Sequence, residues 1–309
     1  MRESEVRFFS EGVEVVGTLR LPDGVAPYPG IVQGPGWLGL RDAKLYLPYH
    51  EALTAQGYAV LIFDYRGFGD SGGDRNTLSP QMQLEDLINA VTYLQTRDDI
   101  ESDRIGVFGS GGTGGGNAVL LAANDSRVRC AVSQVPVADG EDWLRRMRRE
   151  YEWYEFLERL DTDRRQRVTT GKGETVHPRE EIMVPTPERR ATNVKSDVDG
   201  RVPTQVALRA AESIIAYKPI DVVSRVENLM VVAVADDAVT PTEHAVALYE
   251  QAAEPKKLVM QRHTTHYAAY SEHGKAVIPE IVAWFDAHLA PRAVEAMTPT
   301  ERRILKERS

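Results

Sequence analysis

Short apolar runs that alternate with helical segments constrain the fold of this chain more than any other feature. The runs "YPGIVQG" and "YAVLIFDYRG" are nearly continuous in apolar residues, as expected of strands buried on both faces of a sheet. The segment "DAKLYLPYHEALTAQGY" between them has helical periodicity, and a further helix is predicted over 79–96, before the strand "RIGVFG". This alternation predicts an α/β fold with a mostly parallel sheet.

The two ends of the pattern complete the predicted sheet. The opening "EVRFFSEGVEVVGTLRLPDG" holds two strand-like runs broken at Glu11 and Gly12, which predicts an antiparallel hairpin at the sheet edge. After Asn228, the segments "NLMVVAVADD", "PTEHAVALYEQA", "KKLVMQRH" and "KAVIPEIVAWFDAHL" indicate strand, helix, strand and helix. We therefore predict a core formed by residues 1–138 and 218–309.

The rhythm breaks after Ala138, which predicts an inserted, mainly helical cap over residues 139–217. The segment "TQVALRAAESIIAY" is predicted to be one of its helices. Apolar side chains recur at helical spacing in the first part of the cap, at Trp143, Met147, Tyr151, Tyr154 and Leu157. Such a stripe is typical of a packing face. Its first four members are also candidates for lining a ligand pocket.

Composition and charge exclude several classes of partner. The formal net charge of -9 and the pI near 5.4 disfavour binding to nucleic acid or to an anionic membrane, because phosphate binding needs clustered positive charge. The start "MRESEVRFFSEGVEVVG" has no apolar signal core, and no apolar run reaches the roughly 20 residues that span a bilayer. We expect a cytoplasmic protein. The single cysteine, Cys130, lies in a predicted strand and is expected to be a buried, unreactive thiol.

The stretch "GVFGSGGTGGG" at 106–116 has two interpretations. Gly109, Gly111 and Gly114 have the G-x-G-x-x-G spacing of a dinucleotide loop, and the same position in the chain is where many hydrolases keep a nucleophile. A dinucleotide fold places its glycine loop in the first βαβ unit, with an acidic residue about 20 positions later. Here the loop follows a hairpin and two strands, and Asp125 precedes the next strand. The order favours a hydrolase without a cofactor.

Five motifs follow one another in the order that such a hydrolase requires. They are "GPGWLG", "FDYRGFGDSGG", "GVFGSGGTGGG", "ADDAVTP" and "HYAAY". Over about residues 6–289 the chain resembles the α/β-hydrolase superfamily, and most of all the cap-bearing bacterial acyl and ester hydrolases related to dienelactone hydrolase and the prolyl-dipeptidyl acylase group. The resemblance implies an α/β-hydrolase fold acting on an ester, lactone or other acyl bond of a small to medium organic substrate. It also implies a homodimer and no cofactor.

The resemblance assigns an acid and a base of a catalytic triad. Asp237 lies four residues before Pro241, in the loop after an apolar strand, and is the predicted acid, with Asp236 as the alternative. His266 follows the last predicted strand and is the predicted base, with His263 as the alternative. Together the two histidines spell "HTTH", but a zinc site needs a third ligand, so no metal is predicted.

Two glycine-rich motifs are expected to shape the rest of the site. The turn in "GPGWLG" would direct the backbone N–H of Trp37 or Leu38 at a developing oxyanion, together with the N–H of Gly112. In "FDYRGFGDSGG", Asp64 and Arg66 are expected to brace the end of a strand.

The nucleophile expected from the resemblance is absent. The pattern G-x-S-x-G falls on residues 109–113, so Gly111 occupies the nucleophile position and Thr113 the last glycine position. Ser110 is the alternative nucleophile, although the residue before the tip of such a turn directs its side chain elsewhere. Glycine cannot form an acyl-enzyme. Either the chain is an active hydrolase inactivated by one introduced substitution, or it has diverged naturally.

Three functions therefore stay open from sequence alone. The chain is a hydrolase scaffold that lacks its serine, a ligand-binding homologue without catalysis, or a lyase or cyclase that uses a general base. In a naturally diverged chain, His266 oriented by Asp237 would act on bound water or on an acidic C–H, with Gly111 leaving room.

Overall fold

The computed structural model describes residues 1–191 and 201–289. The strands in this part of the chain are β1 (Arg2–Ser10), β2 (Val13–Leu21), β3 (Tyr28–Gly34), β4 (Ala59–Phe63), β5 (Ile100–Gly112), β6 (Val128–Pro136), β7 (Thr175–Val176), β8 (Val206–Ala207), β9 (Leu229–Val234) and β10 (Lys256–Gln261). Eight of them form the main sheet, in the order β1-β2-β4-β3-β5-β6-β9-β10. From β4 to β10 the neighbouring strands are parallel, which confirms the predicted α/β-hydrolase fold.

The antiparallel edge of the sheet is the predicted hairpin. Strands β1 and β2 pair in antiparallel register, and β2 pairs antiparallel with β4. The two-residue turn between β1 and β2 places Glu11 at φ +48° and Gly12 at φ +77°. Positive φ at both positions is what a tight hairpin turn needs to match the twist of its strands, and glycine accepts it without strain.

Helices cover both faces of the sheet. They are α1 (Leu47–Ala55), α2 (Pro80–Gln95), α3 (Thr113–Asn124), α4 (Gly140–Arg146), α5 (Glu150–Thr170), α6 (Pro187–Ala191), α7 (Ala210–Ile215), α8 (Thr242–Gln251), α9 (Ala268–Ser271) and α10 (Gly274–Leu289). Helix α1 packs on α10, and α2 packs on α3. Helix α2 begins where predicted: Ser79 caps it by accepting a hydrogen bond from the N–H of Met82. None of these described helices is long and apolar enough to cross a membrane.

The central strands of the sheet lie in the hydrophobic core. Every residue of β3, β4 and β9 is buried, as the continuous apolar runs predict. Cys130 lies within β6 and is 1% exposed, and burial raises the pKa of its thiol. This thiol is the buried, unreactive group that the sequence predicts.

Helices α4 to α7, the β7–β8 pair and a π-helical turn at Pro178–Ile182 lie outside the main sheet. The cap boundaries 139–217 stay a prediction, and residues 192–200 of the cap and 290–309 of the core lie outside the described residues. The helix expected in "TQVALRAAESIIAY" is shorter than predicted. Only α7 is helical, because Val206 and Ala207 instead pair with β7.

The predicted stripe of the cap does not follow one helix. Helix α4 ends at Arg146 and α5 begins at Glu150, so the break between them shifts the helical phase. As a result Tyr151 and Tyr154 are 55% and 57% exposed, and their place in a pocket stays a prediction. The buried face of α5 is instead formed by Trp153, Phe156 and Leu160.

Candidate active site

The turn predicted to hold the nucleophile carries no side chain at its tip. Strand β5 ends at Gly112 and α3 begins at the next residue, with Gly111 at φ +77° and Gly112 at φ +56°. A Cβ atom at position 111 would lie 3.3 Å from Gly36 Cα and 3.4 Å from the Tyr270 hydroxyl. A small side chain therefore fits if these neighbours yield slightly. The turn has the strained backbone of a nucleophile elbow, which glycine adopts freely.

Glycines beside the elbow explain how the departure at Thr113 is accommodated. A Cβ at Gly109 would stand 2.1 Å from the carbonyl oxygen of Gly114, and a Cβ at Gly114 would stand 2.5 Å from that of Pro35. Because neither glycine has a side chain, α3 can pack directly on β5 and on the neighbouring loop. Thr113 is buried and its hydroxyl donates to Gln83 Oε1 at 3.2 Å. The close packing depends on Gly114, so threonine at 113 is tolerated.

Asp237 and His266 form a buried acid–base pair. Asp237 lies in the loop after β9 and His266 in the loop after β10, and Asp237 Oδ2 is 2.8 Å from His266 Nδ1. Their side chains are 1% and 4% exposed. A carboxylate only accepts hydrogen bonds, so the proton between them belongs to Nδ1. This leaves Nε2 as the nitrogen that can take a proton from a ligand.

Backbone donors hold the Asp237 carboxylate in place. Its Oδ1 accepts from the N–H of Val239 at 2.7 Å and of Thr240 at 3.0 Å, and its Oδ2 accepts from the Thr240 hydroxyl at 3.0 Å. Burial acts to raise the pKa of Asp237, but the charge and hydrogen bond of His266 and the two backbone donors outweigh it. The pKa of Asp237 is therefore lowered, and the group is ionised at neutral pH.

The alternative candidates for the acid, the base and the nucleophile take no part in this pair. Asp236 and His263 are both exposed, and both sit in loop turns at positive φ. Ser110 is 1% exposed and pairs with Gln134 across β5 and β6. The Ser110 hydroxyl makes no hydrogen bond to His266 in the described part of the chain.

A chamber of about 30 Å³ joins the predicted site residues. It is lined by Trp37, Leu38, Gly111, Gly112, Trp143, Arg179, Met183, Arg189, Val239, Thr240, His266 and Tyr267. The chamber thus brings Gly111 and His266 together with the loop predicted to bind an oxyanion. Its volume suits one water molecule.

The oxyanion loop is held by its own turn and by a tyrosine. Gly39 N–H donates to the Gly36 carbonyl at 2.8 Å, and Gly36 N–H donates to the Tyr46 hydroxyl at 3.1 Å. Within residues 1–191 and 201–289, neither Trp37 nor Leu38 uses its backbone N–H in a hydrogen bond. Both donors at the chamber wall are available to a ligand.

Side chains from segments outside the main sheet close the chamber. Trp143 Nε1 donates to the Val239 carbonyl at 2.8 Å, and its ring meets that of Trp37 edge to face at 5.8 Å. Arg179 donates from Nη2 to the Leu38 carbonyl at 3.1 Å. Trp143 therefore lines the chamber, and Trp143 and Met147 both line a neighbouring pocket of about 700 Å³ that also borders Asp237.

Sequence reasoning missed the two arginines and Tyr270. Arg179 and Arg189 come from a segment whose pattern predicts only irregular structure, and nothing in their spacing indicates a site. Tyr270 belongs to the quoted "HYAAY" motif, so its nearness to His266 was a usable signal. The strand-end brace was predicted correctly. The Asp64 carboxylate accepts from the N–H groups of Arg41 and Asp70, and Arg66 binds Asp86.

Comparison with solved structures defines the class of protein. The chain resembles the α/β hydrolase GrgF from Penicillium sp. sh18 with a TM-score of 0.79 at 21% sequence identity, covering 94% of this chain and 100% of that one. At this identity the likeness shows the fold, and the fold is that of an α/β hydrolase.

Sequence comparison then gives the family. Residues 11–268 match the X-Pro dipeptidyl-peptidase family, S15, and the chain belongs to this family of hydrolases. An uncharacterized 31.7 kDa protein in the traX-finO intergenic region of Escherichia coli is 32% identical over 298 residues, which are 91% of this chain and 97% of that one. The quorum-quenching protein AidA of Acinetobacter baumannii is 39% identical over 137 residues, 44% of each chain.

Proposed function

We propose that the protein hydrolyses an ester, lactone or other acyl bond of a small to medium organic substrate, with water as the nucleophile. The observation that carries this proposal is a complete, buried Asp237–His266 pair beside a nucleophile turn that has no side chain. The chamber between them suits one water molecule. Water above Gly111 would stand where a serine hydroxyl stands in a serine hydrolase.

The proposed reaction needs one proton to be moved twice. His266 Nε2 takes a proton from water as the water oxygen attacks the acyl carbon, and Asp237 stabilises the imidazolium that forms. The acyl oxygen becomes an oxyanion that accepts from Gly112 N–H and from Trp37 or Leu38 N–H. The tetrahedral intermediate then breaks its bond to the leaving alcohol oxygen, which recovers the proton from His266. Acid and alcohol are released.

The chamber favours neutral or anionic acyl compounds over peptides with a free amino end. Its described lining residues include Arg179 and Arg189 but no carboxylate that would accept a substrate ammonium group. The family name refers to dipeptides ending in proline, whereas this lining supports ester and lactone substrates.

We further propose that residues 139–217 act as a cap that opens for the substrate. The chamber is too small for more than a few atoms. Opening would break the hydrogen bonds of Trp143 to Val239 and of Arg179 to Leu38.

The experiment is hydrolysis of a panel of short- and medium-chain aryl esters and small lactones by the chain and by His266→Ala. We expect His266→Ala to lower kcat by about 10² to 10⁴, the usual contribution of a general base. His263→Ala is the matched control, because His263 is exposed and outside the pair. Unchanged turnover by His266→Ala contradicts the proposal. Tight binding without turnover supports the ligand-binding alternative, and product that gains no oxygen from labelled water supports a lyase or cyclase.

A further inference from the structure

A buried tyrosine lies directly beneath the empty tip of the elbow. Tyr270 belongs to α9, four residues after His266, and is 3% exposed. Its hydroxyl is 3.4 Å from the place that a Cβ atom would take at position 111. Its ring centroid is 5.9 Å from that of His266. The hydroxyl thus lies beside the empty nucleophile position, and the ring packs edge to face against that of the base.

The Tyr270 hydroxyl lacks a well-aligned hydrogen-bond partner in the described part of the chain. Burial raises the pKa of Tyr270 well above its usual value, and a hydrogen-bonding interaction with the Ser110 hydroxyl acts in the opposite direction. The Ser110 hydroxyl is also buried without an aligned partner among the described residues. The two hydroxyls lie beside each other without a well-aligned bond, which leaves both able to bind a water molecule.

The tyrosines packed around Tyr270 differ from it in this respect. The Tyr46 hydroxyl accepts from Gly36 N–H at 3.1 Å, and the Tyr49 hydroxyl accepts from Gln134 Nε2 at 3.3 Å. Both therefore have a structural hydrogen bond. Tyr270 has the Ser110 hydroxyl beside it, but the two hydroxyls do not form a well-aligned hydrogen bond.

We infer that the Tyr270 hydroxyl holds the water molecule that His266 activates, and that Tyr270 is a positioning residue of the reaction. The inference rests on the proposed function. Water above Gly111 would accept from or donate to Tyr270 on one side and donate to His266 Nε2 on the other. Two fixed partners would direct a lone pair of the water at the acyl carbon, as the Cβ–Oγ bond directs a serine. A serine side chain would make this role of Tyr270 unnecessary.

The test compares Tyr270→Phe in the present chain and in a Gly111→Ser background. In the present chain we expect kcat to fall about 10- to 100-fold, the worth of one hydrogen bond to a charged or reacting group, with KM changed less than about twofold. In the Gly111→Ser background the change in kcat should be less than about threefold. Tyr49→Phe is the matched control, since it removes a buried hydroxyl of the same cluster that does not reach position 111.

Two outcomes overturn the inference. An equal loss in both backgrounds would mean that Tyr270 only supports the His266 ring, and no loss in the present chain would mean that it holds no reacting water. The proposed function fails separately, when His266→Ala keeps full turnover.

A crystal structure of the chain provides a readout that does not depend on turnover. We expect an ordered water within hydrogen-bond distance of both Tyr270 Oη and His266 Nε2, and its loss in Tyr270→Phe crystals. A Tyr270 hydroxyl bonded to a protein group, with no solvent density above Gly111, overturns the inference even if no substrate has been found.

Discussion

The two halves of the candidate site are built in opposite ways. The acid–base half consists of buried side chains, in which the Asp237 carboxylate accepts four hydrogen bonds, from Val239, from Thr240 twice and from His266. The nucleophile half is bare backbone, with Gly111 and its neighbour at positive φ. Burying a carboxylate costs free energy unless it is paired. The hydrogen bonds of Asp237 therefore indicate that this half of the site holds His266 as a proton acceptor. This difference is why we propose base chemistry without a covalent intermediate.

The largest loss of activity that would test this comparison is expected at Asp237. Replacing Asp237 by Asn keeps the shape but removes the charge that orients and stabilises His266. We expect kcat for the best ester of the panel to fall about 10³- to 10⁴-fold, with little change in KM. Asp236→Asn is the matched control, because Asp236 is exposed and makes none of these bonds. Equal activities of the two variants would contradict the role of Asp237.

Trp143, in the chamber wall between the two halves, should contribute more to stability than an exposed aromatic residue such as Tyr154. Trp143→Ala removes a side chain that is 1% exposed, with its hydrogen bond to Val239 and its contact with Trp37. We expect it to lower the free energy of unfolding by about 3 to 5 kcal/mol. Tyr154→Ala should change it by less than about 0.5 kcal/mol. Urea unfolding of the two variants measures the difference, and similar losses would contradict the packing described.

Restoring a side chain to the nucleophile half sharpens the comparison. In Gly111→Ser the new hydroxyl would stand beside His266, and we expect a burst of product equal to the enzyme concentration. Acylation should exceed the starting rate by about 10²-fold, well below the roughly 10⁶ that a nucleophile contributes in a matched site, because the new Cβ crowds Gly36 and Tyr270. Mass spectrometry of the intact protein detects the acyl group. Gly112→Ser is the control, and a burst from it as well would contradict the assigned elbow.

A buried histidine outside the acid–base pair tests whether acid acts on the fold or on the site. His50 Nδ1 accepts from Arg20 at 2.8 Å and its Nε2 donates to Gln33, so the ring is neutral. Burial lowers the pKa of His50 from 6.5 to about 3, and the Arg20 charge acts in the same direction. Below pH 6.5 the unfolded chain binds a proton that the folded chain does not, so stability falls as pH falls towards 3.

Between pH 6.5 and pH 5 this difference amounts to about 2 kcal/mol. We expect His50→Gln to remove that part of the pH dependence of the unfolding free energy while leaving the pH dependence of turnover in place. An unchanged stability profile in His50→Gln would contradict the pKa assignment.

The sequence predicts the parts of this molecule whose pattern is local. Continuous apolar runs predict β3 and β4, Glu11 and Gly12 predict the hairpin, and chain order selects Asp237 and His266. The phase of α5 was mispredicted because a three-residue break, invisible to periodicity, separates it from α4. The position of Arg179 at the chamber wall and the proposed water-holding role of Tyr270 depend on contacts between segments distant in sequence. Local sequence patterns therefore do not predict them. Homodimer formation and a cytoplasmic location stay predictions.

One measurement tests the central claim most directly. The protein is treated with a fluorophosphonate, which labels activated serines, and its turnover and peptide masses are compared with those of untreated protein and of His266→Ala. If water is the nucleophile, we expect full turnover after treatment, no label on Ser110 and loss of turnover in His266→Ala. A label on Ser110 that abolishes turnover would contradict it, because Ser110 would then be the nucleophile.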